Sequence, residues 1–232
     1  MNANKSELLL LHALPLDGTM WHEQMQLFPG RTHAPTLYGL GEGIEDWARA
    51  VLSSITGERL LVVGCSVGGS LALELAALAP DRIAGLVLIG TKAGTRRDPA
   101  LKARVLSTLH EKGVEAGWDE FWAPLFSAWT DATVIAEAKA IALRQRPEDI
   151  ARGVAAFHNR PDRSALQPEL ACPVTLITGA DDVAPGIKKS REQVRQARRG
   201  TLHVIPDCGH YVPLERPHEL NAIFSKVMTA LV

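Results

Sequence analysis

The sequence has little cysteine, few aromatic residues and almost no excess of charge of either sign. Its 232 residues include three cysteines, Cys65, Cys172 and Cys208, an odd number without CxxC spacing. This pattern argues against a disulfide framework and against a structural zinc site. We interpret the three cysteines as ordinary buried thiols.

A balance of 25 basic and 26 acidic residues leaves a formal net charge of −1. A chain without a basic bias has no general attraction to nucleic acid, so nucleic acid is not an expected partner. The longest apolar run near the N-terminus, Leu8 to Leu11, is too short for a signal-peptide core or a membrane span. We therefore expect a cytoplasmic protein that does not enter a membrane.

What the chain does contain is a series of short apolar runs separated by helical patterns. The runs are LLLLHALP, ERLLVVGCS, IAGLVLIG, CPVTLITG and TLHVIP. Such runs, alternating with crossover segments, predict the α/β class: a mostly parallel sheet covered by helices on both faces. Ligands of such sheets bind beyond the carboxyl ends of the strands, so the chemistry is expected there.

Segment 95–167 breaks the alternation, because it has helical patterns and no strand-like run. We interpret it as a helical cap inserted into a core of residues 1–94 and 168–232, within one domain overall. Its stretch WDEFWAPLFSAW has a wide aromatic face at helical spacing. Packing on the sheet is the commoner role of such a face. Lining of a substrate pocket is the alternative, and its candidates are Trp118, Trp122, Phe126 and Trp129.

The strongest local signal is GCSVGG, residues 64–69, between a predicted strand and an alanine-rich helix. A GxSxG sequence in this context is typical of a nucleophile elbow, which holds Ser66 at the tip of a sharp turn. Gly64 and Gly68 suit the turn because a Cβ at either position would collide with a neighbouring strand or helix. Ser66 is therefore the candidate nucleophile.

A serine hydroxyl needs a nearby base, and histidine has the suitable pKa. Of the eight histidines, His210 lies on a glycine-containing loop directly after the last predicted strand. An acid that orients this histidine is expected at another strand end, where GADD supplies Asp181 and Asp182. The residues alone leave both aspartates as candidates.

An oxyanion hole needs two convergent N–H groups, one from the residue after the nucleophile and one from the loop after an earlier strand. Val67 supplies the first group. The loop LHALPLDGTMW supplies the second, and Leu14 is its predicted donor.

Together these residues resemble the α/β-hydrolase superfamily, in the branch of esterases, 3-oxoadipate enol-lactonases and carbon–carbon bond hydrolases. HALPLDGTMW is similar to the oxyanion loop, GCSVGG to the elbow, and CGHYVPLERPHEL to the histidine loop. NRPD followed by LACPVTLITGADD is similar to the return from the cap to the acid strand. The family pattern Gly-x-x-Asp implies Asp182 as the acid.

The sequence also departs from the family pattern. Ala13 stands where the oxyanion loop usually has glycine, and Cys65 stands where the elbow commonly has histidine. The chain begins almost at the oxyanion strand, so the resemblance implies that the leading strands of larger members are missing.

The resemblance implies a serine hydrolase that cleaves a small carboxylic ester or lactone through an acyl-enzyme on Ser66, without metal or organic cofactor. A carbon–carbon bond hydrolase acting on a vinylogous diketone and a ligand receptor on the same scaffold are the alternatives. A dicarboxylate-type substrate would need cationic side chains, of which we assign Arg160 to the pocket, although surface solvation is the commoner role of arginine. The arginines in or around the cap are Arg96, Arg97, Arg144, Arg146, Arg160 and Arg163.

Overall fold

Six parallel strands form the sheet in the computed structural model, which describes residues 6–95 and 97–230. The strands are β1 (Glu7–Leu11), β2 (Thr32–His33), β3 (Leu60–Cys65), β4 (Ile83–Ile89), β5 (Val174–Gly179) and β6 (Gly200–Ile205). Their order is β2-β1-β3-β4-β5-β6, and every neighbouring pair is parallel. The predicted fold class is confirmed.

The central strands are covered on both faces. Every residue of β3, β4 and β5 is buried. Because successive side chains of a strand point to opposite faces, burial at every position requires a cover on each side of the sheet. Burial on both faces explains why these strands appear in the sequence as continuous apolar runs. The edge strand β6 is instead exposed or half-buried at all positions but its last.

Helices connect the strands. They are α1 (His22–Met25), α2 (Ile44–Ser54), α3 (Val67–Leu78), α4 (Pro99–Gly117), α5 (Ala132–Leu143), α6 (Pro147–Asn159), α7 (Gly186–Val194), α8 (Val212–Glu215) and α9 (Pro217–Thr229). Short 3₁₀ segments lie at Gly18–Trp21, Pro80–Arg82, Ala123–Leu125 and Ser164–Glu169, and a π-helical turn spans Trp118–Trp122. Helix α3 packs against β1, β3 and β4, and α7 packs against β5 and β6.

Helices α4, α5 and α6 lie between β4 and β5, and α4 packs against α6. Helix α4 begins where the Asp98 carboxylate accepts a hydrogen bond from the Leu101 N–H at 2.9 Å. It is interrupted at Gly113, whose φ of 82° only glycine adopts at little cost. Residues of α4 and α6 line a cavity together with residues that follow the carboxyl ends of the strands.

The carboxyl ends of the strands lie at one level of the sheet. Cys65 is level with Ile89, Ile89 with Ile177, and Gly179 with Ile205. The loops that follow β1, β3, β4, β5 and β6 therefore leave the same edge, which brings residues distant in sequence together. None of the helices in the described ranges combines the length and apolar character needed to cross a bilayer.

Candidate active site

Ser66 stands at the turn between β3 and α3 in a strained backbone conformation, with φ 56° and ψ −116°. Its N–H donates to Ile89 O at 2.9 Å, and its side chain is partly exposed. A Cβ on Gly64 would lie 2.2 Å from Gly68 O, and one on Gly68 would lie 2.2 Å from Leu11 O. The steric need for both glycines is therefore as the sequence predicted.

Thr91, in the loop after β4, supports this turn. Its hydroxyl oxygen lies 2.9 Å from Ile89 O and 3.2 Å from Ser66 O, so the hydroxyl links the end of β4 to the serine peptide. A Cβ on Gly69 would lie 1.9 Å from that oxygen. Sequence reasoning missed Thr91. A buried polar residue directly after an apolar strand was the signal that could have found it.

His210 and Asp182 form a buried pair. Nδ1 of His210 lies 3.1 Å from Oδ1 and 3.2 Å from Oδ2 of the Asp182 carboxylate. Burial raises the pKa of Asp182, but the charge and hydrogen bond of His210 and the Ala184 N–H, at 2.7 Å, outweigh it and hold this pKa below its usual range. Asp181 instead accepts a hydrogen bond from the Ser127 hydroxyl at 2.5 Å. The structure thus sets Asp182, not Asp181, against the histidine.

Gly90 leaves the space that the histidine ring occupies. Its φ is +55°, and a Cβ there would lie 2.8 Å from Cε1 and Nδ1 of His210 and 3.2 Å from Oδ2 of Asp182. Any side chain at this position would displace the pair. The sequence carried a signal in the glycine that ends IAGLVLIG, but this use of it was not predicted.

The two predicted oxyanion donors, Val67 and Leu14, have N–H groups that donate no hydrogen bond to any other described residue. The Val67 N–H opens helix α3. Across the site, the carbonyl of Leu14 accepts a hydrogen bond from the Tyr211 hydroxyl at 3.0 Å, which ties the oxyanion loop to the residue beside His210. Tyr211 was also missed.

His12 holds the start of the oxyanion loop as a neutral side chain. Its Nε2 accepts the Leu37 N–H at 2.9 Å, so Nδ1 carries the proton and donates to Ala13 O at 3.1 Å. Complete burial lowers its pKa from 6.5 to about 4. His12 is a structural residue of the loop.

Cys65 lies beneath the histidine loop, with Sγ 3.7 Å from His210 O. Burial, reinforced by the nearby Asp182 and Glu215 carboxylates, raises the pKa of this thiol well above its ordinary value. The thiol therefore stays protonated and is a poor nucleophile at neutral pH.

A cavity of about 480 Å³ opens over these residues, a size suited to a small ligand. Ser66, His210 and Leu14 line it from the sheet side. The opposite wall is largely apolar and comes from the segment between β4 and β5. Its members include Leu101, Val105, Phe121, Trp122, Leu125, Val154 and Phe157.

Two of the five predicted pocket residues, Trp122 and Arg160, line this cavity, and three do not. Trp118 is fully buried, Phe126 packs on Tyr211 and Trp118, and Trp129 is 72% exposed. The prediction was wrong for these three because it assumed one regular helix. The chain instead forms a π-helical turn, then a 3₁₀ turn, and becomes extended at Phe126, so helical spacing no longer assigns the faces.

Arg160 is held mainly by backbone. Its guanidinium donates to Phe157 O at 2.6 Å and to Gly94 O at 3.3 Å, and it lies over the Phe157 ring. Burial lowers its pKa to about 10.

Arg97, Arg144, Arg146 and Arg163, the other described arginines from the cap region, do not line the cavity. Arg163 binds Glu74, Arg146 binds Asp149, and Arg144 approaches Asp17 at 3.7 Å. Arg97 is exposed, and Arg96 lies outside the described residues. Within the described part of the chain, the lysine and arginine side chains that line the cavity are Lys92 and Arg160.

Among the described residues, the candidate nucleophile is not hydrogen-bonded to the candidate base. The hydrogen bonds among the described residues join His210 to Asp182 but include none between the Ser66 hydroxyl and His210. The two side chains share a cavity wall. Such contacts are often long without substrate and tighten when substrate binds.

A model of the alpha/beta hydrolase family matches residues 8–223. The pimeloyl-(acyl-carrier protein) methyl ester esterase of Aromatoleum aromaticum is 26% identical over 249 residues, covering 97% of this chain and 99% of that protein. A thermophilic esterase from Thermogutta terrifontis, solved with malate bound, has a TM-score of 0.90 at 26% identity, over 97% of this chain and 90% of that one. An enol-lactonase from Burkholderia xenovorans shares the fold with a TM-score of 0.85 at 22% identity, over 98% and 92% of the two chains.

Proposed function

Because this chain belongs to the alpha/beta hydrolase family, we propose that it is a serine hydrolase that cleaves a carboxylic ester or lactone through an acyl-enzyme on Ser66. The observation that carries the proposal is the shared cavity of Ser66, held on a strained turn, and His210, held by Asp182. The named esterases among its relatives support an ester substrate.

In the first half-reaction, Ser66 Oγ attacks the carbonyl carbon while Nε2 of His210 takes its proton. The carbonyl oxygen becomes an oxyanion that accepts hydrogen bonds from the N–H groups of Val67 and Leu14. When the intermediate collapses, the bond to the leaving alkoxy oxygen breaks and the imidazolium returns the proton to that oxygen. An ester then releases its alcohol, whereas a lactone opens and keeps its hydroxyl on the acyl chain.

In the second half-reaction, neutral His210 takes a proton from water as the water oxygen attacks the acyl carbon. Collapse of this second intermediate breaks the bond to Ser66 Oγ, and the proton returns to the serine. The products are the carboxylic acid and the free enzyme, so the cycle needs neither metal nor organic cofactor.

Asp182 supports both halves through the Nδ1 side of the histidine. Its contacts at 3.1 and 3.2 Å keep the Nδ1 proton in place, which leaves the Nε2 lone pair for the serine. Since its pKa lies below the usual range, the carboxylate is charged at neutral pH and stabilises the transient imidazolium.

The Ser66 hydroxyl forms its hydrogen bond to His210 by rotating toward the histidine when substrate binds. A serine side chain has three staggered rotamers, and bound substrate favours the one that aligns Oγ between the carbonyl carbon and Nε2.

Replacement of the nucleophile tests the proposal. We expect Ser66→Ala to lower kcat for p-nitrophenyl butyrate by about 10⁶-fold, because only the oxyanion donors and binding remain. The matched control is Ser70→Ala, one turn along α3, which removes a buried hydroxyl that has no hydrogen-bond partner among the described residues. Activity of Ser66→Ala within tenfold of the unchanged protein would overturn the proposal.

The substrate class needs a separate assay. Turnover of an enol-lactone and of a vinylogous diketone, measured beside the ester, distinguishes lactone hydrolysis from carbon–carbon bond hydrolysis.

A further inference from the structure

Glu215 is a buried carboxylate that lies five residues after His210, at the end of α8. We propose that Glu215 is a positioning residue. Its carboxylate holds the backbone on both sides of His210 and also binds the cap, residues 95–167. The inference rests on the proposed function only in taking His210 as the general base.

The Glu215 carboxylate accepts hydrogen bonds from the backbone on either side of His210. Its Oε2 accepts the Gly209 N–H at 2.8 Å, and its Oε1 accepts the Tyr211 N–H at 2.9 Å. Hydrogen bonds to the N–H groups of both neighbouring residues restrict the backbone at His210, and so the direction in which its side chain leaves the chain. The His210 ring thereby keeps its place between Gly90 and Asp182.

The same carboxylate also binds the segment between β4 and β5. Its Oε2 accepts the Ser127 N–H at 3.0 Å and the Thr130 hydroxyl at 2.6 Å. Four donors therefore converge on one side chain that is 5% exposed. A carboxylate suits this place because it accepts at both oxygens and donates nothing.

Further contacts join the same two parts of the chain. The His210 N–H donates to Leu125 O at 2.9 Å, and the Ser127 hydroxyl donates to Asp181. Leu125 also lines the cavity. Glu215 therefore ties the base and one wall of the substrate cavity into a single unit.

Substitution by glutamine is the direct test, because it keeps the shape of the side chain but leaves one acceptor oxygen and turns an NH₂ group toward N–H donors. For Glu215→Gln we expect kcat to fall by about 10- to 100-fold with KM within threefold, since a small misplacement of a reacting group is enough for such a loss. We also expect the NMR resonance of the His210 Nδ1 proton to shift or broaden. Neither readout follows from a loss of stability alone.

Glu74→Gln is the matched control, because Glu74 is an equally buried carboxylate that binds Arg163 and not the histidine loop. It should lower the melting temperature and keep kcat within twofold. Glu215→Asp, which keeps the charge and withdraws the oxygens by one methylene, gives the same test if the glutamine variant does not fold.

The inference is overturned if a folded Glu215 variant keeps both kcat and the histidine resonance, or if Glu74→Gln loses as much kcat. Failure here is distinct from failure of the proposed function. An inactive Ser66→Ala beside a fully active Glu215→Gln rejects only the role of Glu215, whereas an active Ser66→Ala rejects the hydrolase mechanism.

Discussion

At Ser66, the backbone adopts φ 56°, a region that residues with side chains occupy only when their surroundings hold them there. The surroundings are the Ile89 carbonyl, the Thr91 hydroxyl, and two glycines that let α3 approach β1 and β3 closely. This conformation places the Ser66 side chain at the tip of the turn, where it lines the cavity. A local departure from ordinary geometry is thus maintained by contacts from two neighbouring strands.

His12 makes the stability of the fold depend on pH. Its pKa falls from 6.5 in an unfolded chain to about 4 in the fold, so the unfolded chain binds more protons between these values. The contribution is complete above pH 6.5 and is lost as pH falls toward 4, by up to about 3 kcal/mol at 1.36 kcal/mol per pKa unit. Urea unfolding at pH 7.5 and 4.5 measures the loss. His12→Gln, which cannot titrate, should show a smaller loss, and an equal loss would contradict the assignment.

Among the elements, α3 is tied to the segment that precedes β5 by a partly buried ion pair. Glu74, 1% exposed, binds Arg163 through two hydrogen bonds of 2.8 Å each. The Arg163 N–H also donates to Ala93 O at 3.0 Å, which joins this segment to the loop after β4. This pair gives a structural role to Arg163, one of the arginines in or around the cap that were considered for a dicarboxylate substrate.

Removal of one partner of the Glu74–Arg163 ion pair should destabilise the fold. We expect Arg163→Leu to lower the free energy of unfolding by about 3 kcal/mol, because the Glu74 charge stays buried without a partner. The double variant Glu74→Leu/Arg163→Leu should recover much of this loss, since no uncompensated charge remains. A double-mutant cycle by chemical denaturation measures both. Additive losses would show that the two side chains act independently.

The strands were the part of the fold that the sequence predicted best. Burial on both faces makes β3, β4 and β5 continuous apolar runs, which stand out from the helical patterns. Strand β2 has two half-buried residues and no pattern to detect. The aromatic stretch that begins with the turn at Trp118–Trp122 was assigned to a regular helix, and the pocket prediction was wrong for Trp118, Phe126 and Trp129 because a π-helical turn changes the spacing.

In the whole molecule, the candidate site combines loops from five strand ends. Local sequence pointed to Ser66 and His210 and narrowed the acid to two neighbours, of which the structure sets Asp182 against the histidine. The roles of Tyr211 and Glu215 could not be predicted, because they depend on contacts between residues far apart in sequence. Tyr211 binds the carbonyl of a residue 197 positions away, and Ser127 meets Glu215 across 88 positions. No local pattern encodes such pairs.

The role of Ser66 as the nucleophile is tested most directly by covalent labelling of the folded protein with a fluorophosphonate, followed by intact-mass measurement and peptide mapping. We expect one label per chain, on Ser66; the label should be absent from Ser66→Ala, and a competing p-nitrophenyl ester should slow its formation. Label on another residue, or no label on correctly folded protein, would show that Ser66 is not the nucleophile.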